Sequence, residues 1–161
     1  MKKLFLFIFV FFFVSFGCAQ NENKTEEKTI KIFDETRDPK QDLADAIKVA
    51  QKENKTILID VGGDWCIWCR RLDKVFKETE EIVTLLKNHY VLLKVNYSKG
   101  NKNEDFLSQY PKIPGYPHFF ILDSNGELLL SHNPEDLEIE NGYDVSKVIE
   151  FLQTWAERKE K

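Results

Sequence analysis

The spacing of apolar residues along the chain predicts several amphipathic helices. Pro39 suits the first turn of a helix, and Asn54 is a plausible stop. Between them, apolar residues recur at positions i, i+3, i+4 and i+7, namely Leu43, Ala46, Ile47 and Ala50. Helical spacing also starts at Cys66 and recurs in three later stretches, at residues 79–86, 106–110 and 145–157.

Short apolar runs between these helices predict strands. Residues 56–61 (TILIDV) and 90–97 (YVLLKVNY) have the composition of strands that are buried on both faces, and residues 29–33 are expected to form a short first strand. Residues 118–122 and 127–131 flank Asn125-Gly126, which is a strong hairpin signal. These last two strands are therefore predicted to be antiparallel neighbours.

The resulting order (β)αβαβαββα predicts an α/β fold. Strands linked by helices imply a parallel portion of the sheet, and the terminal hairpin adds an antiparallel portion. The expected architecture is a mixed central sheet with helices on both faces, in a single domain large enough to bury a real core. A formal net charge of -4 argues against nucleic acid as a partner.

Residues 1–19 have the pattern of an export signal. Lys2 and Lys3 precede an apolar run at residues 4–16 (LFLFIFVFFFVSF). Crossing a hydrocarbon core of about 30 Å needs roughly 20 helical residues, so this run is too short to span a membrane. It has the length of the apolar region of a secretory signal. A buried core helix or strand is the alternative, which the lack of any polar face disfavours.

Two cleavage sites remain open at the end of this signal. Gly17-Cys18 resembles the junction of a bacterial lipoprotein signal, where Cys18 would be acylated, and Gly17 with Ala19 also fits ordinary cleavage before Gln20. Residues 20–28 (QNENKTEEK) are polar and are predicted to form a flexible tether to a folded domain at residues 29–161. We therefore expect export to the bacterial periplasm or envelope, with a possible lipid anchor at Cys18.

The pair Cys66 and Cys69 is the candidate catalytic site. It follows a predicted buried strand and stands where a predicted helix begins. Unpaired N–H groups and the dipole of a helix N-terminus favour negative charge, so the pKa of the Cys66 thiol is expected to be lowered. Cys69 would lie one turn deeper on the same face, close enough to form a disulfide or to attack a mixed one.

Two other interpretations of the pair are weaker. A zinc site needs two more ligands, but the chain has no second Cys-x-x-Cys pair, and its three histidines lack zinc-finger spacing. A purely structural disulfide across so short a loop would restrain the unfolded chain little. We therefore predict a redox role, with no metal.

The sequence at residues 29–157 resembles that of the thioredoxin superfamily. The motif Asp64-Trp65-Cys66-Ile67-Trp68-Cys69-Arg70-Arg71 is similar to that of exported thioredoxin-like proteins. Gly115-Tyr116-Pro117, just before the strand at residues 118–122, matches the cis-proline loop of the family. The active-site acid of the family, six residues before the first cysteine, falls on Asp60.

The resemblance implies a thioredoxin-like three-layer α/β/α fold, a cis bond before Pro117 and dithiol–disulfide exchange without an organic cofactor. The sequence departs from thioredoxin itself at two places. Ile67-Trp68 replaces Gly-Pro between the cysteines, which leaves the direction of electron flow open, and His118 stands after the cis-proline where threonine is common.

Further roles follow for residues around the cysteines. A carboxylate at Asp60 within an apolar strand would be costly unless it had a use. We interpret it as the proton acceptor for Cys69, directly or through a water molecule, with a raised pKa. The alternative is an aspartate at a strand end that is solvated or caps a neighbour. An apolar rim for substrate is expected from Trp65, Trp68, Tyr116 and Pro117, although helix packing explains Trp68 equally well. Arg70, Arg71, His118 and His132 are expected to be ordinary surface residues.

The predicted function is a thiol–disulfide oxidoreductase. Its substrates would be cysteine-containing envelope proteins, and a membrane redox partner would reset the dithiol. A non-catalytic binding module that presents the aromatic rim to a protein partner is the alternative.

Overall fold

The computed structural model of the protein describes residues 31–156. The predictions for the signal at 1–19, for Cys18, for the tether at 20–28 and for residues 29, 30 and 157–161 of the folded domain lie outside these residues. None of the helices between residues 31 and 156 combines the length and the apolar composition that crossing a membrane requires.

Helices and strands alternate as the sequence predicts. The helices are α1 (Pro39–Glu53), α2 (Ile67–Glu78), α3 (Glu80–His89), α4 (Glu104–Leu107) and α5 (Val145–Ala156). The strands are β1 (Thr56–Gly62), β2 (Tyr90–Asn96), β3 (His118–Leu122), β4 (Leu128–His132), β5 (Glu138–Ile139) and β6 (Gly142–Tyr143), and a 3-10 helix spans Pro134–Leu137. The predicted α/β fold class is confirmed.

Local signals set the limits of α1. The side chain of Asp38 accepts a hydrogen bond from the backbone N–H of Lys40, and Pro39 occupies the first turn. At the other end Asn54 adopts the left-handed conformation, with φ of 53°, and its N–H donates to the carbonyl of Ala50. The start and the stop read from the sequence are both confirmed.

Within the described residues the main sheet has the strand order β2-β1-β3-β4. β1 pairs in parallel with β2 and antiparallel with β3, and β3 pairs antiparallel with β4. The sheet is therefore mixed and ends in the predicted hairpin. The small β5–β6 pair was not predicted, since two-residue strands carry no readable period.

The sheet separates two hydrophobic clusters. Alternate residues of β1 face opposite sides: Ile57, Ile59 and Val61 pack with α1 and α4, whereas Leu58 packs with α2, α3 and α5. This gives three layers, α/β/α. Asp60 shares the face of Leu58, so its side chain points toward the layer that contains α2.

The short first strand predicted at residues 29–33 is wrong for the residues that the structure describes. Residues 31–33 form no strand. The backbone N–H groups of Ile32 and Phe33 instead donate to one carboxylate oxygen of Asp64, at 2.9 and 3.2 Å. A side chain 31 residues or more further along the chain thus satisfies the donors that a neighbouring strand would have satisfied.

Candidate active site

Cys66 and Cys69 lie at the N-terminus of α2 and are joined by a disulfide bond, with their Cα atoms 5.3 Å apart. Cys66 is the N-cap residue, and the backbone N–H of Cys69 points at its Sγ from 3.1 Å. Cys66 retains 4% exposure, whereas Cys69 is completely buried. The cysteine nearer to solvent therefore occupies the N-cap, where the helix dipole favours a thiolate.

The end of β1 approaches the disulfide so closely that only glycine fits. A Cβ atom on Gly62 would lie 2.6 Å from Cys69 Sγ and 2.8 Å from the ring tip of Phe33. A Cβ atom on Gly63 would lie 2.4 Å from the Trp65 indole nitrogen. Gly62-Gly63 does more than end the strand, because it makes room for the sulfur and the indole.

The loop before β3 closes the site from the other side. The Tyr116–Pro117 peptide bond is cis, as the family resemblance implies. The carbonyl oxygen of Tyr116 lies 3.5 Å from Cys66 Sγ. The structure thus brings this loop against the cysteine at the helix N-cap.

An aromatic surface borders the disulfide. The side chain of Trp65 is 57% exposed, its ring lies edge-on to Tyr116 at 5.8 Å, and its Nε1 donates to the carbonyl of Tyr97 at 2.6 Å. Tyr116 stacks on Tyr97 at 4.7 Å. Trp65 and Tyr116 lie together as the sequence predicts, and Tyr97 extends the surface, which the sequence analysis missed.

Trp68 belongs mainly to the packing. Its ring lies edge-on to Tyr143 at 5.8 Å, and the guanidinium of Arg71 lies 4.6 Å from its centroid. The indole is only partly buried and also packs against the cysteine cluster. Of the two interpretations of Trp68, helix packing describes these contacts better. Arg71 is engaged by this ring, so it is not merely solvated.

Asp60 is completely buried and forms an ion pair with Lys94. Its Oδ2 accepts a hydrogen bond from Lys94 Nζ at 2.9 Å, and its Oδ1 has no hydrogen-bond partner among residues 31–156. Burial raises the pKa of Asp60 above its ordinary value, and the nearby Lys94 ammonium offsets this only in part. The predicted direction of the shift agrees with the structure, and the alternative of a solvated aspartate does not.

Lys94 also binds a second acid, which sequence reasoning missed. Its Nζ lies 3.0 Å from Asp73 Oδ1, and Lys77 lies 2.7 Å from Asp73 Oδ2. Burial acts to raise the pKa of Asp73, but hydrogen bonds from Lys77 and Lys94 outweigh it and hold the pKa below its usual range. Likewise, burial acts to lower the pKa of Lys94, but Asp60 and Asp73 bring it above its ordinary value.

Signals for two of these missed residues are present in the sequence. Asp73 follows Cys69 by four positions, so it had to share that face of α2. Lys94 is the one cation in the apolar run YVLLKVNY, and it stands opposite Asp60 in the register of the parallel pair. Phe33, which packs in one cluster with both cysteines, has no comparable local signal.

His118 is not a surface residue, so that prediction is wrong. Its side chain is buried, with Nε2 2.9 Å from Ser131 Oγ and the ring 4.9 Å from Phe120. Burial lowers the pKa of His118 to about 4. His132 is also partly covered, because it stacks on Phe151 at 4.7 Å. β3 is an inner strand, which explains why its first residue is enclosed.

Residues 38–124, more than half of the chain, match the thioredoxin-like family. The protein belongs to that family. The matched segment contains the disulfide at the start of α2, Gly62-Gly63 and the cis-proline loop.

Two curated relatives bear on the activity. The disulfide bond reductase DsbH of Chlamydia pneumoniae is 26% identical over 98 residues, which are 55% of this chain and 58% of that protein. The thiol:disulfide interchange protein DsbD of Colwellia psychrerythraea is 25% identical over 134 residues, 80% of this chain and 22% of DsbD. The chain spans less than two thirds of the length of either relative.

Solved structures agree on the fold. A disulphide isomerase from Xylella fastidiosa Temecula1 superimposes with a TM-score of 0.68 at 22% identity, covering 78% of this chain and 97% of the other. The oxidised C-terminal domain of Neisseria meningitidis DsbD gives a TM-score of 0.51 at 18% identity, covering 73% and 95%. At these identities the likeness establishes the thioredoxin-like α/β fold.

Proposed function

We propose that the protein is a thiol–disulfide oxidoreductase that works through Cys66 and Cys69. The observation that carries this proposal is the Cys66–Cys69 disulfide at the N-terminus of α2, with Cys66 facing the Tyr116–Pro117 loop. The relatives DsbH and DsbD, named a disulfide bond reductase and a thiol:disulfide interchange protein, support the same chemistry.

The first step is attack by the Cys66 thiolate on a substrate disulfide. A bond forms between Cys66 Sγ and one substrate sulfur, and the other substrate sulfur leaves as a thiolate that takes up a proton. The N-cap position favours the attacking thiolate. An extended substrate would lie against Trp65, Tyr116 and Pro117.

The second step is resolution by Cys69. Its thiol gives its proton to the Asp60 carboxylate, and its sulfur attacks Cys66 Sγ, which breaks the mixed disulfide and releases the second substrate thiol. Two electrons pass from the protein to the substrate, and the Cys66–Cys69 disulfide remains. A dithiol donor must then reduce it; a membrane redox partner is the kind of donor we expect.

The natural setting proposed is the bacterial envelope. This part rests on the signal pattern at residues 1–19, and acylation of Cys18 would anchor the protein to the membrane. Substrates would then be envelope proteins that contain cysteine. Because DsbH is named a disulfide bond reductase, its similarity favours the reducing direction for this chain.

The roles of the two cysteines can be tested by trapping. In a Cys18→Ser background, Cys69→Ser is expected to accumulate covalent complexes with substrate proteins through Cys66, because the resolving sulfur is missing. Cys66→Ser is the matched control and is expected to trap none. Envelope extracts separated without reductant give the readout.

Complexes formed by Cys66→Ser alone would reverse the two roles. No complexes with either variant, together with no exchange by the wild type, would favour the non-catalytic binding module.

A further inference from the structure

The segment at residues 32–35, here called the N-terminal strap, crosses beside the start of α2. Ile32 and Phe33 donate their backbone N–H groups to Asp64 Oδ1 at 2.9 and 3.2 Å. Further along, the side-chain amide of Asn101 donates to the carbonyl of Glu35 at 2.8 Å. Asp64, two residues before Cys66, and Asn101 thus fix an otherwise irregular segment.

This attachment places the ring of Phe33 over the buried side of the active site. Phe33 is 1% exposed and packs in one cluster with Cys66 and Cys69. Its ring tip and Cys69 Sγ both lie within 3 Å of the point that a Cβ atom on Gly62 would occupy. Lys94 Nζ lies 5.2 Å from the ring centroid. One aromatic ring therefore covers the resolving sulfur and the cation that binds Asp60.

We propose that Phe33 is a positioning residue that keeps water away from Cys69 and from the Asp60–Lys94 pair, and that Asp64 holds it there. The inference rests on the proposed function. With the site dry, the S–H bond of Cys69 breaks by transfer of its proton to Asp60, and the sulfur then attacks Cys66. With water admitted, the proton passes directly to solvent and Asp60 loses its part in the step.

Other charged groups share this space and stay unchanged in the test. Lys94 faces Asp60 from β2, and Asp73 and Lys77 lie on α2. Tyr143 of β6 also lies close enough to Asp60 to interact with it electrostatically. A shift caused by Phe33 alone therefore reports access of water rather than a change of charge.

The test measures alkylation of Cys69 by iodoacetamide against pH in the full chain. Cys18→Ser and Cys66→Ser leave Cys69 as the sole cysteine. Phe33→Ala is expected to raise the alkylation rate about tenfold and to move the midpoint of the profile to lower pH, because burial disfavours the thiolate. Phe33→Leu retains an apolar cover and is expected to stay near the wild type.

Phe106→Ala is the matched control. Phe106 is equally enclosed, at 2% exposure, but lies in the cluster on the opposite face of the sheet. Phe106→Ala should lower the stability of the protein without moving the alkylation profile of Cys69. Equal shifts for Phe33→Ala and Phe106→Ala, or no shift for Phe33→Ala, would overturn the proposal.

A second pair of variants keeps the proposal testable should Phe33→Ala not fold. Asp64→Ala and Asp64→Asn remove the same charge, but only asparagine retains an oxygen that accepts from Ile32 and Phe33. Asp64→Ala is expected to raise the alkylation rate of Cys69, whereas Asp64→Asn is expected to leave it near that of the wild type. Identical alkylation profiles for the two variants would contradict the role of Asp64. None of these readouts needs exchange activity, so a wild type without exchange would refute the proposed function and leave this result standing.

Discussion

Asp60 is the most deeply buried charged residue among residues 31–156. Its carboxyl is fully buried, and one oxygen contacts Lys94 while the other has no hydrogen-bond partner among residues 31–156. A raised pKa means that the folded protein holds this proton more tightly than the unfolded chain does. Such a group is suited to accept a proton from a thiol.

Asp60→Asn tests this at the residue scale. Below the ordinary pKa of 3.8, both folded and unfolded wild-type chains are protonated at this position. As the pH rises above that value, the unfolded chain loses its proton first, so the free energy of unfolding of the wild type should fall relative to that of the variant. Urea unfolding at a series of pH values measures the difference. Resolution of mixed disulfides should slow on the order of 10²-fold.

Asp73→Asn provides a control of opposite sign. Because the pKa of Asp73 is lowered, its contribution to stability is present above its ordinary pKa and lost as the pH falls through the folded-state value. If the free energy of unfolding of Asp60→Asn ran parallel to that of the wild type at all pH values, the pKa of Asp60 would not be perturbed.

Sequence reasoning found the residues of this site that lie in local motifs. Cys66, Cys69 and Pro117 stand in short patterns, and Asp60 stands out as an acid in an apolar strand. Phe33 was missed because nothing near it in the sequence points to Cys69. Its position depends on hydrogen bonds to Asp64, which lies 31 positions away.

At the scale of elements, the junction of β1 and α2 positions the sulfurs. β1 ends at Gly62, Gly63 follows it in the turn, and Cys66 is the N-cap residue of α2. Cys69 Sγ then packs directly on the last residue of the strand. The distance between strand and helix is therefore set by the lack of a side chain at Gly62.

Gly62→Ala is expected to destabilise the protein by about 1–3 kcal/mol, the usual cost of overpacking, because its Cβ would lie 2.6 Å from Cys69 Sγ. Urea unfolding of the reduced protein gives the free-energy change. Exchange should slow as well, since the Cys69 sulfur must shift from the position in which it bonds to Cys66.

Gly142→Ala is the matched substitution in β6. No atom lies within 4 Å of the Cβ position there, so we expect a change within about 0.5 kcal/mol. Equal effects of the two substitutions would show that close packing on the sulfur does not set the cost at Gly62.

Most of the helices and strands could be predicted from the sequence, and the exceptions have physical causes. The long helices have a clear apolar period and the long strands are continuous apolar runs, so these elements were predicted with limits close to those observed. Residues 31–33 are apolar enough to suggest a strand, but a side chain rather than a strand satisfies their backbone donors. β5 and β6 are too short for any pattern to show.

At the scale of the whole molecule, the sheet buries polar groups as well as two apolar clusters. His118, at the start of β3, is enclosed and has a pKa of about 4. The unfolded chain therefore binds a proton at this position before the folded protein does. The contribution of His118 to the stability of the protein should therefore decline as the pH falls from about 6.5 toward 4.

His118→Gln is expected to remove part of this decline. Glutamine remains polar but does not titrate, so at pH 4 the variant should recover about 3 kcal/mol relative to the wild type, compared with the difference at pH 7. Thermal or urea unfolding at both pH values measures it. A difference between variant and wild type that is the same at pH 4 and pH 7 would mean that His118 titrates normally.

The central claim is that Cys66 and Cys69 exchange disulfides as a pair, and one stoichiometric measurement tests it most directly. The reduced full chain with Cys18→Ser is mixed with excess protein disulfide, such as insulin, and both products are examined by mass spectrometry after acid quenching. We predict one Cys66–Cys69 disulfide formed for each substrate disulfide reduced to two thiols, and no such exchange by Cys66→Ser. Unchanged thiols in the wild type, or equal reduction of the substrate by Cys66→Ser, would contradict the claim.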